Sequence, residues 1–196
     1  LAMLDWFQEY RYGDRGYASV LAEKGYIVII IDAVGFGERG PLTETWLKII
    51  PSDLGNAKKG SDEYIKQYDK FWGERMPWLQ NAALYAGYSF LGLMVWDDIR
   101  TVDFLCTLPE VDKNRIGCVG LSMGGYRSVW LGAMDKRIKC CCPVGWMAKL
   151  DDLAPFRCPA AWLVPGLYNR LPYPDLASLV VPRKLFVQYC ENDQLD

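Results

Sequence analysis

The sequence contains no histidine in its 196 residues. Histidine is the side chain that most often accepts a proton near neutral pH in catalytic sites, and it is also a common metal ligand. The chain as given therefore lacks the usual general base. It also lacks any apolar run close to the roughly 20 residues that a membrane-spanning helix needs, so we expect no membrane partner.

The sequence also lacks a large excess of charge of either sign. Lys and Arg number 22 against 24 Asp and Glu, and they are interspersed rather than clustered. Without a basic stripe or a basic amphipathic stretch, we expect no nucleic-acid partner. No signal-peptide pattern is present, so a cytoplasmic location is favoured over a secreted or periplasmic one, with the compartment left open. The composition decides nothing about the oligomeric state.

Seven cysteines form an odd set, and no two of them have the Cys-x-x-Cys spacing. Such a set predicts neither a disulfide framework nor a metal site in a chain of this length. Cys140, Cys141 and Cys142 fall in an apolar run that is typical of a buried strand. There, free thiols act as small apolar side chains.

What the sequence does contain is the motif Gly120-Leu121-Ser122-Met123-Gly124. An apolar run precedes it and a helix-compatible run follows it, an arrangement called a nucleophile elbow. Such a turn forces the central residue into a strained conformation and lifts its side chain clear, while small residues at 120 and 124 avoid collision. Ser122 is therefore the candidate nucleophile at a helix N-terminus, where negative charge is favoured. A glycine-rich turn with an ordinary serine is the alternative.

The remaining segments predict strands that alternate with helices. The predicted strands are 26–31, 116–120, 140–144 and 185–189, and the predicted helices are 14–24, 85–108 and 124–134. This alternation indicates a single α/β domain, residues 1–196, with a mostly parallel sheet and helices on both faces. Ligands bind such sheets beyond the carboxyl ends of the strands, where Ser122 would lie.

Two segments leave alternatives open. Residues 41–83 are rich in aromatic side chains and predict a lid or cap insertion, with a helix at 61–73. Its aromatic rings would either cover a substrate or pack the cap onto the domain.

The stretch from Gly35 to Gly40 reads Gly-x-Gly-x-x-Gly, which would suit a nucleotide-dependent oxidoreductase. Because Pro41 follows where a helix should open, a plain glycine-rich loop is favoured.

Several motifs taken together resemble those of the α/β-hydrolase superfamily, in the branch of dienelactone hydrolases and acetyl-xylan-esterase-like enzymes. They cover most of the chain from about residue 17 onward, and the elbow is the most specific of them. The motifs are residues 35–38, 95–100, 109–112, 115–117, 120–125, 173–175 and 182–183.

The resemblance implies a catalytic triad in the order Ser, Asp, His. Ser122 matches the nucleophile, and Asp193 matches the acid, with Glu191 as the fallback. The backbone N–H of Met123 matches one oxyanion donor. Trp146 and Met147, and Trp162 with them, are candidates for the lining of the pocket, although core packing explains them equally well. No metal or organic cofactor is implied.

Two parts of that site find no match in the chain. The family's His would lie beyond Asp196, and its second oxyanion donor would follow a strand that precedes the helix at 14–24. The resemblance therefore implies that parts are missing at both ends and that the complete protein is a serine esterase. Small acyl esters, acetylated carbohydrate among them, are the expected substrates. A non-catalytic binding protein that lacks the base is the alternative.

Overall fold

The structure, a computed structural model, describes residues 13, 15–36, 39, 58, 61–146, 162–167 and 169–189. By its contacts the chain divides into two compact units, residues 1–79 and 80–196. Helix α1, Tyr17–Glu23, belongs to the first unit, and helix α2, Asp62–Tyr85, begins in the first and ends in the second. The assignment of 1–196 to one domain stays a prediction, and most of the proposed insertion before α2 lies outside the described residues.

The second unit alternates helices with strands. Its elements are α3, Phe90–Leu105; β1, Ile116–Leu121; α4, Met123–Met134; β2, Ile138–Val144; α5, Tyr173–Ser178; and β3, Lys184–Leu185. The three strands form a parallel sheet in the order β1-β2-β3, which a bridge from Val144 to Gln188 extends. The predicted α/β class with a parallel sheet is thereby confirmed. Of the strand predicted at 185–189, only its first residue belongs to β3.

One apolar cluster joins the helices to the sheet. Val102 of α3, Ile116 of β1, Leu131 of α4 and Ile138 of β2 are all buried and pack together. Burial of an aliphatic side chain of this size contributes about 1.5–3 kcal/mol. Because each of the four elements supplies one member, the cluster fixes α3 and α4 against the two strands that flank the elbow.

Two glycines let α4 lie directly on β2. A Cβ atom added at Gly125 would stand 2.7 Å from the Val144 carbonyl oxygen, and one at Gly132 would stand 3.1 Å from the Cys141 Sγ. The strands also end at the same level, because Leu121 lies opposite Val144. The start of α4 is therefore held beside the carboxyl end of β2.

The predicted helix at 85–108 is wrong at its start, because α2 continues to Tyr85 and α3 begins only at Phe90. Gly87, at φ +84°, ends α2, and the N–H of Tyr88 donates to the Ala83 carbonyl at 2.8 Å. Ser89 then caps α3. A glycine in the left-handed conformation followed by a serine cap is a regular stop and start, which the apolar spacing alone does not reveal.

The other three predicted helices are confirmed with shifted bounds, and the one predicted at 124–134 is α4. Residues 14–24 contain α1, which Gly25 ends at φ +87°. The helix predicted at 61–73 begins as expected, because the Ser61 hydroxyl accepts the Tyr64 N–H at 3.2 Å. It continues to Tyr85 as α2, past Pro77. None of the helices in the described ranges is both long and apolar enough to cross a membrane.

The strand predicted at 26–31 is not formed in this structure. No strand is assigned there, and Tyr26 and Ile30 are exposed by 63% and 60%. A strand is defined by hydrogen bonds to a neighbouring strand, and among the described residues this segment has none. β-branched residues favour a pleated, half-buried surface, but their presence does not determine whether a second strand is available for pairing.

A buried carboxylate closes the turn between α4 and β2. Asp135 accepts hydrogen bonds at 2.9 Å from both the backbone N–H and the Nε of Arg137, whose Nη1 also donates to Asp103 of α3 at 2.6 Å. Burial raises the pKa of Asp135, but the hydrogen bonds from Arg137 outweigh it, so the pKa lies below its ordinary value. The charged form of Asp135 therefore stabilises the fold.

We expect Asp135→Asn to destabilise the protein at pH 7 by about 1–3 kcal/mol, because it removes a charge from a buried hydrogen-bonded pair. A depressed folded pKa contributes stability that is complete above the unfolded pKa and is lost as pH falls through the folded pKa. The difference from wild type should therefore shrink below about pH 4. Urea unfolding between pH 7 and pH 3 measures this, with the exposed turn residue Asp112→Asn as the control of smaller effect. A difference independent of pH would contradict the prediction.

Candidate active site

Ser122 makes the whole chain reversal between β1 and α4 by itself. Its φ is 81° and its ψ is −109°, and in the described part of the chain it is the only residue other than glycine with a positive φ. Backbone held in such a region costs about 1–3 kcal/mol and persists only when the surrounding structure imposes it. The strain predicted for this turn is therefore present at Ser122.

Two hydrogen bonds impose this conformation. The Ser122 N–H donates to the carbonyl of Val144 at the end of β2, at 2.8 Å, and the Ser122 carbonyl accepts the Tyr126 N–H at 2.9 Å. The side chain makes no bond to the helix it precedes, and the residue is exposed. The Ser122 backbone is thus satisfied on both sides, and its hydroxyl is not used to cap α4.

Gly120 is the position at which the elbow tolerates no side chain. A Cβ there would stand 2.3 Å from both the carbonyl carbon and the carbonyl oxygen of Gly124. At Gly124 itself, a Cβ would meet no heavy atom within 4 Å other than its chain neighbours and the backbone of its own helix. The steric expectation is therefore confirmed for Gly120 and wrong for Gly124, because the first turn of α4 crosses over residue 120 while residue 124 points its Cβ position into open space.

Met123 is the first residue of α4. The first N–H groups of a helix have no acceptor within it, and they stand at the positive end of the helix dipole. The Met123 N–H directly follows Ser122, as the oxyanion role requires. The structure gives this group the expected place, and its role stays a prediction.

An aromatic cluster lies beyond the end of β2. Tyr126 is fully buried, its ring lies 4.4 Å from that of Trp146, and its O–H donates to the Trp162 carbonyl at 2.8 Å. The rings of Trp146 and Trp162 meet edge to face at 4.5 Å. These contacts are packing contacts, and Trp146 is only 3% exposed. A pocket-lining role for Trp146 stays a prediction.

An ion pair that no sequence motif predicts joins α3 to α4. The guanidinium of Arg127 donates to both carboxylate oxygens of Asp98, at 3.0 Å and 2.5 Å. Both side chains are largely buried, with 13% and 12% exposed. A two-point contact of this kind fixes orientation as well as distance. The ion pair therefore fixes the rotation of α4 about its own axis relative to α3.

Two thiols lie across from each other under α4. Cys118 of β1 pairs with Cys141 of β2, and both Sγ atoms donate to the Ser128 carbonyl, at 3.5 Å and 3.1 Å. The hydrogen bond with Cys141, together with burial, raises the pKa of Cys118 far above its ordinary range. Cys118 therefore stays protonated, and a protonated thiol is a poor nucleophile.

Three predicted site residues, Asp193, Glu191 and Met147, lie outside the described residues. The described segment that precedes Glu191 and Asp193 runs along the sheet. Gln188 bridges to Val144, and its carbonyl accepts the Gly145 N–H at 2.7 Å. The segment that precedes Asp193 thus runs beside the same strand end that holds Ser122.

The glycine-rich stretch after residue 32 forms turns where it is described. The Phe36 N–H donates to Ala33 at 2.9 Å, and the Gly35 N–H donates to Arg39 at 3.2 Å. Gly37 and Gly40 lie outside the described residues. Within the described ranges, no three His, Cys, Asp or Glu side chains are grouped so that they could hold a metal ion.

Comparison with known proteins gives matches of fold and of sequence. The chain is 25% identical over 173 residues to YtaP of Bacillus subtilis (strain 168), named as a candidate hydrolase, which is 85% of this chain and 46% of the relative. A crystal structure named as a candidate acetyl xylan esterase, from Bacteroides fragilis, matches at a TM-score of 0.66 and 20% identity, over 87% of this chain and 41% of that one.

A glucuronoyl esterase catalytic domain from Hypocrea jecorina matches 54% of this chain and 36% of its own, at 24% identity and a TM-score of 0.44. No protein-family model matches the chain. The chain spans about half the length of the curated relative. The parallel sheet, the strained turn between β1 and α4 and the fold match at a TM-score of 0.66 agree with one another. The chain has the α/β-hydrolase fold, and the resemblance to that superfamily predicted from its motifs is confirmed.

Proposed function

We propose that this chain carries the nucleophile of a serine esterase. The observation that carries the proposal is the conformation of Ser122, an exposed serine held at φ 81° between a strand and a helix. Strained backbone of this kind concentrates at functional sites because it fixes a side chain where regular structure would not. The esterase and hydrolase names of the matched proteins support the same chemistry.

The proposed reaction begins when the Ser122 hydroxyl attacks the acyl carbon of an ester. The carbonyl oxygen gains negative charge, which the Met123 N–H and the N-terminus of α4 stabilise. The alcohol leaves with a proton, and an acyl-enzyme remains on Ser122. Water then attacks the acyl group, and the free acid and the serine hydroxyl are restored.

A base is needed because serine is a weak nucleophile at its ordinary pKa. The 196 residues contain no histidine, so we propose that the base is a histidine outside them, oriented by Asp193. The last described segment supports the place of Asp193, because Gln188 bridges to Val144 beside the elbow. For the substrate we propose small acyl esters, including acetyl groups on carbohydrate, in line with the branch that the motifs resemble.

The rival is a binding protein that keeps the elbow without a base. A fluorophosphonate separates the two, because it reacts rapidly only with an activated serine. We expect the complete protein, which would include the proposed histidine, to take up one equivalent of the probe, located by peptide mass spectrometry on Ser122. Ser178→Ala, which alters an exposed serine of α5, should label normally, and Ser122→Ala should not label at all. Complete wild-type protein that stays unlabelled would favour the rival.

A nucleotide-dependent oxidoreductase finds no support in the described residues. The dinucleotide motif requires its glycines to open a helix, whereas Ala33, Gly35 and Phe36 take part in turns. A thermal-shift titration with NAD and NADP tests this function directly, since a bound ligand raises the unfolding temperature.

A further inference from the structure

Ser122 is held from two directions, and the two restraints meet in one contact. Its N–H is bound by Val144, and its carbonyl is bound by the Tyr126 N–H. Two residues after Val144, the ring of Trp146 packs on the ring of Tyr126 at 4.4 Å. The elbow is therefore part of a closed circuit, which runs through the end of β2, across an aromatic contact and back along the first turn of α4.

Tyr126 is the residue of this circuit that joins α4 to the aromatic cluster. Its ring lies within 6.3 Å of Trp146, Trp162 and Trp130, and its O–H donates to the Trp162 carbonyl. Aromatic pairs of this geometry contribute beyond the area that they bury. Because the residue is fully buried, a shift of its ring would move the backbone to which it is attached.

That backbone belongs to the turn that carries the proposed chemistry. Ser122 and Met123 precede Tyr126 in the first turn of α4, so tilting this turn moves the hydroxyl and the oxyanion N–H together. A displacement of about 1 Å in such groups costs on the order of a hundredfold in rate. The strain at Ser122 makes the turn ready to relax wherever the restraint is weakened.

We propose that Tyr126 is a positioning residue for Ser122 and Met123, acting through the packing of its ring on Trp146. The role deepens the proposed esterase function and rests on it. Through this ring contact, the position of the end of β2 determines the position of the start of α4. The hydroxyl bond to Trp162 has a lesser part, because it anchors the far edge of the ring and does not contact the elbow.

The test compares Tyr126→Leu, which removes the ring, with Tyr126→Phe, which keeps the ring and removes only the hydroxyl. Trp130→Leu is the matched control, because Trp130 also touches the Tyr126 ring, at 6.3 Å, but lies one turn farther along α4. Turnover of p-nitrophenyl acetate is measured for each variant of the complete protein, well below the unfolding temperature of that variant. Unfolding temperatures show how much each variant loses in stability.

We expect Tyr126→Leu to lower kcat by about 10- to 100-fold with KM little changed, since the loss falls on the transition state. Tyr126→Phe should recover most of this rate. Trp130→Leu should lose comparable stability and keep kcat within about threefold of wild type. A Tyr126→Leu variant whose kcat falls no further than that of Trp130→Leu would overturn the proposal and leave Tyr126 a packing residue.

Hydrogen exchange at the Ser122 amide, which donates to Val144, gives a readout that needs no activity. Tyr126→Leu should speed exchange there by about tenfold more than in the strand at Ile116, whereas Trp130→Leu should affect both sites alike. Unchanged exchange at Ser122 would refute the positioning role. If the wild type neither reacts with the fluorophosphonate nor turns over, the esterase function fails, and exchange alone still decides whether Tyr126 holds the elbow.

Discussion

In the complete protein, Ser122→Ala should lower kcat/KM for p-nitrophenyl acetate by at least about a thousandfold, because it removes the atom that attacks the acyl carbon. What activity remains would come from the oxyanion donors and from substrate binding. The fold should be unaffected, since the side chain is exposed and makes no bond to the start of α4. Steady-state kinetics and urea unfolding on the same protein preparation measure the two effects.

Ser122→Gly is the matched control for this substitution. It removes the hydroxyl as alanine does, but glycine accepts a positive φ without strain. We therefore expect the same loss of activity together with a gain in stability of about 1 kcal/mol over the alanine variant. An alanine variant that keeps more than about a tenth of the wild-type rate would show that Ser122 is not the nucleophile.

Gly120→Ala should destabilise the protein by about 3 kcal/mol or more. The new methyl group would stand 2.3 Å from the carbonyl carbon and oxygen of Gly124, and backbone atoms cannot move aside as a flexible side chain would. Either β1 or the first turn of α4 must shift, and the bond from Ser122 to Val144 would be stretched as a result. Urea unfolding gives the free energy, and fluorophosphonate labelling reports the state of the elbow.

Gly124→Ala is the comparison for this variant, because it adds the same methyl group four residues away. Apart from its chain neighbours and the backbone of its own helix, no heavy atom lies within 4 Å of its Cβ position. Alanine is also favoured over glycine inside a helix by about 0.5–1 kcal/mol. We expect Gly124→Ala to be neutral or stabilising. Equal losses from the two substitutions would mean that the close approach at Gly120 is not what the elbow requires.

Local features were the predictable ones. The elbow lies within a few residues of sequence, so the spacing of Gly120 and Ser122 announces both the turn and the exposed hydroxyl. The parallel pairing of β1 with β2 follows from two apolar runs separated by one helix. The break between α2 and α3 also has a local signal, in Gly87 and Ser89. The apolar residues keep a helical spacing across this break, so the spacing alone predicts one continuous helix.

The contacts that support the site could not be predicted in this way. Tyr126 reaches Trp162 and Arg127 reaches Asp98 across long stretches of chain, and single-residue patterns do not say which buried side chains will meet. The same limit applies to residues 26–31. Their composition suits a strand, but composition does not say which strand, if any, they would pair with. Asp193 is the opposite case, since its expected role rests on the resemblance and on its place after Gln188.

The bond from Ser122 to Val144 has a consequence for the order of events as the protein is made. The strained turn is held by the end of the strand that follows α4, so the sequence of the elbow is insufficient to form it. During synthesis, Ser122 remains an ordinary serine until β2 has emerged and paired with β1. Non-local pairing of this kind is slow compared with the closing of a helix. We therefore expect Ser122 to take up its strained conformation only after β2 has paired with β1.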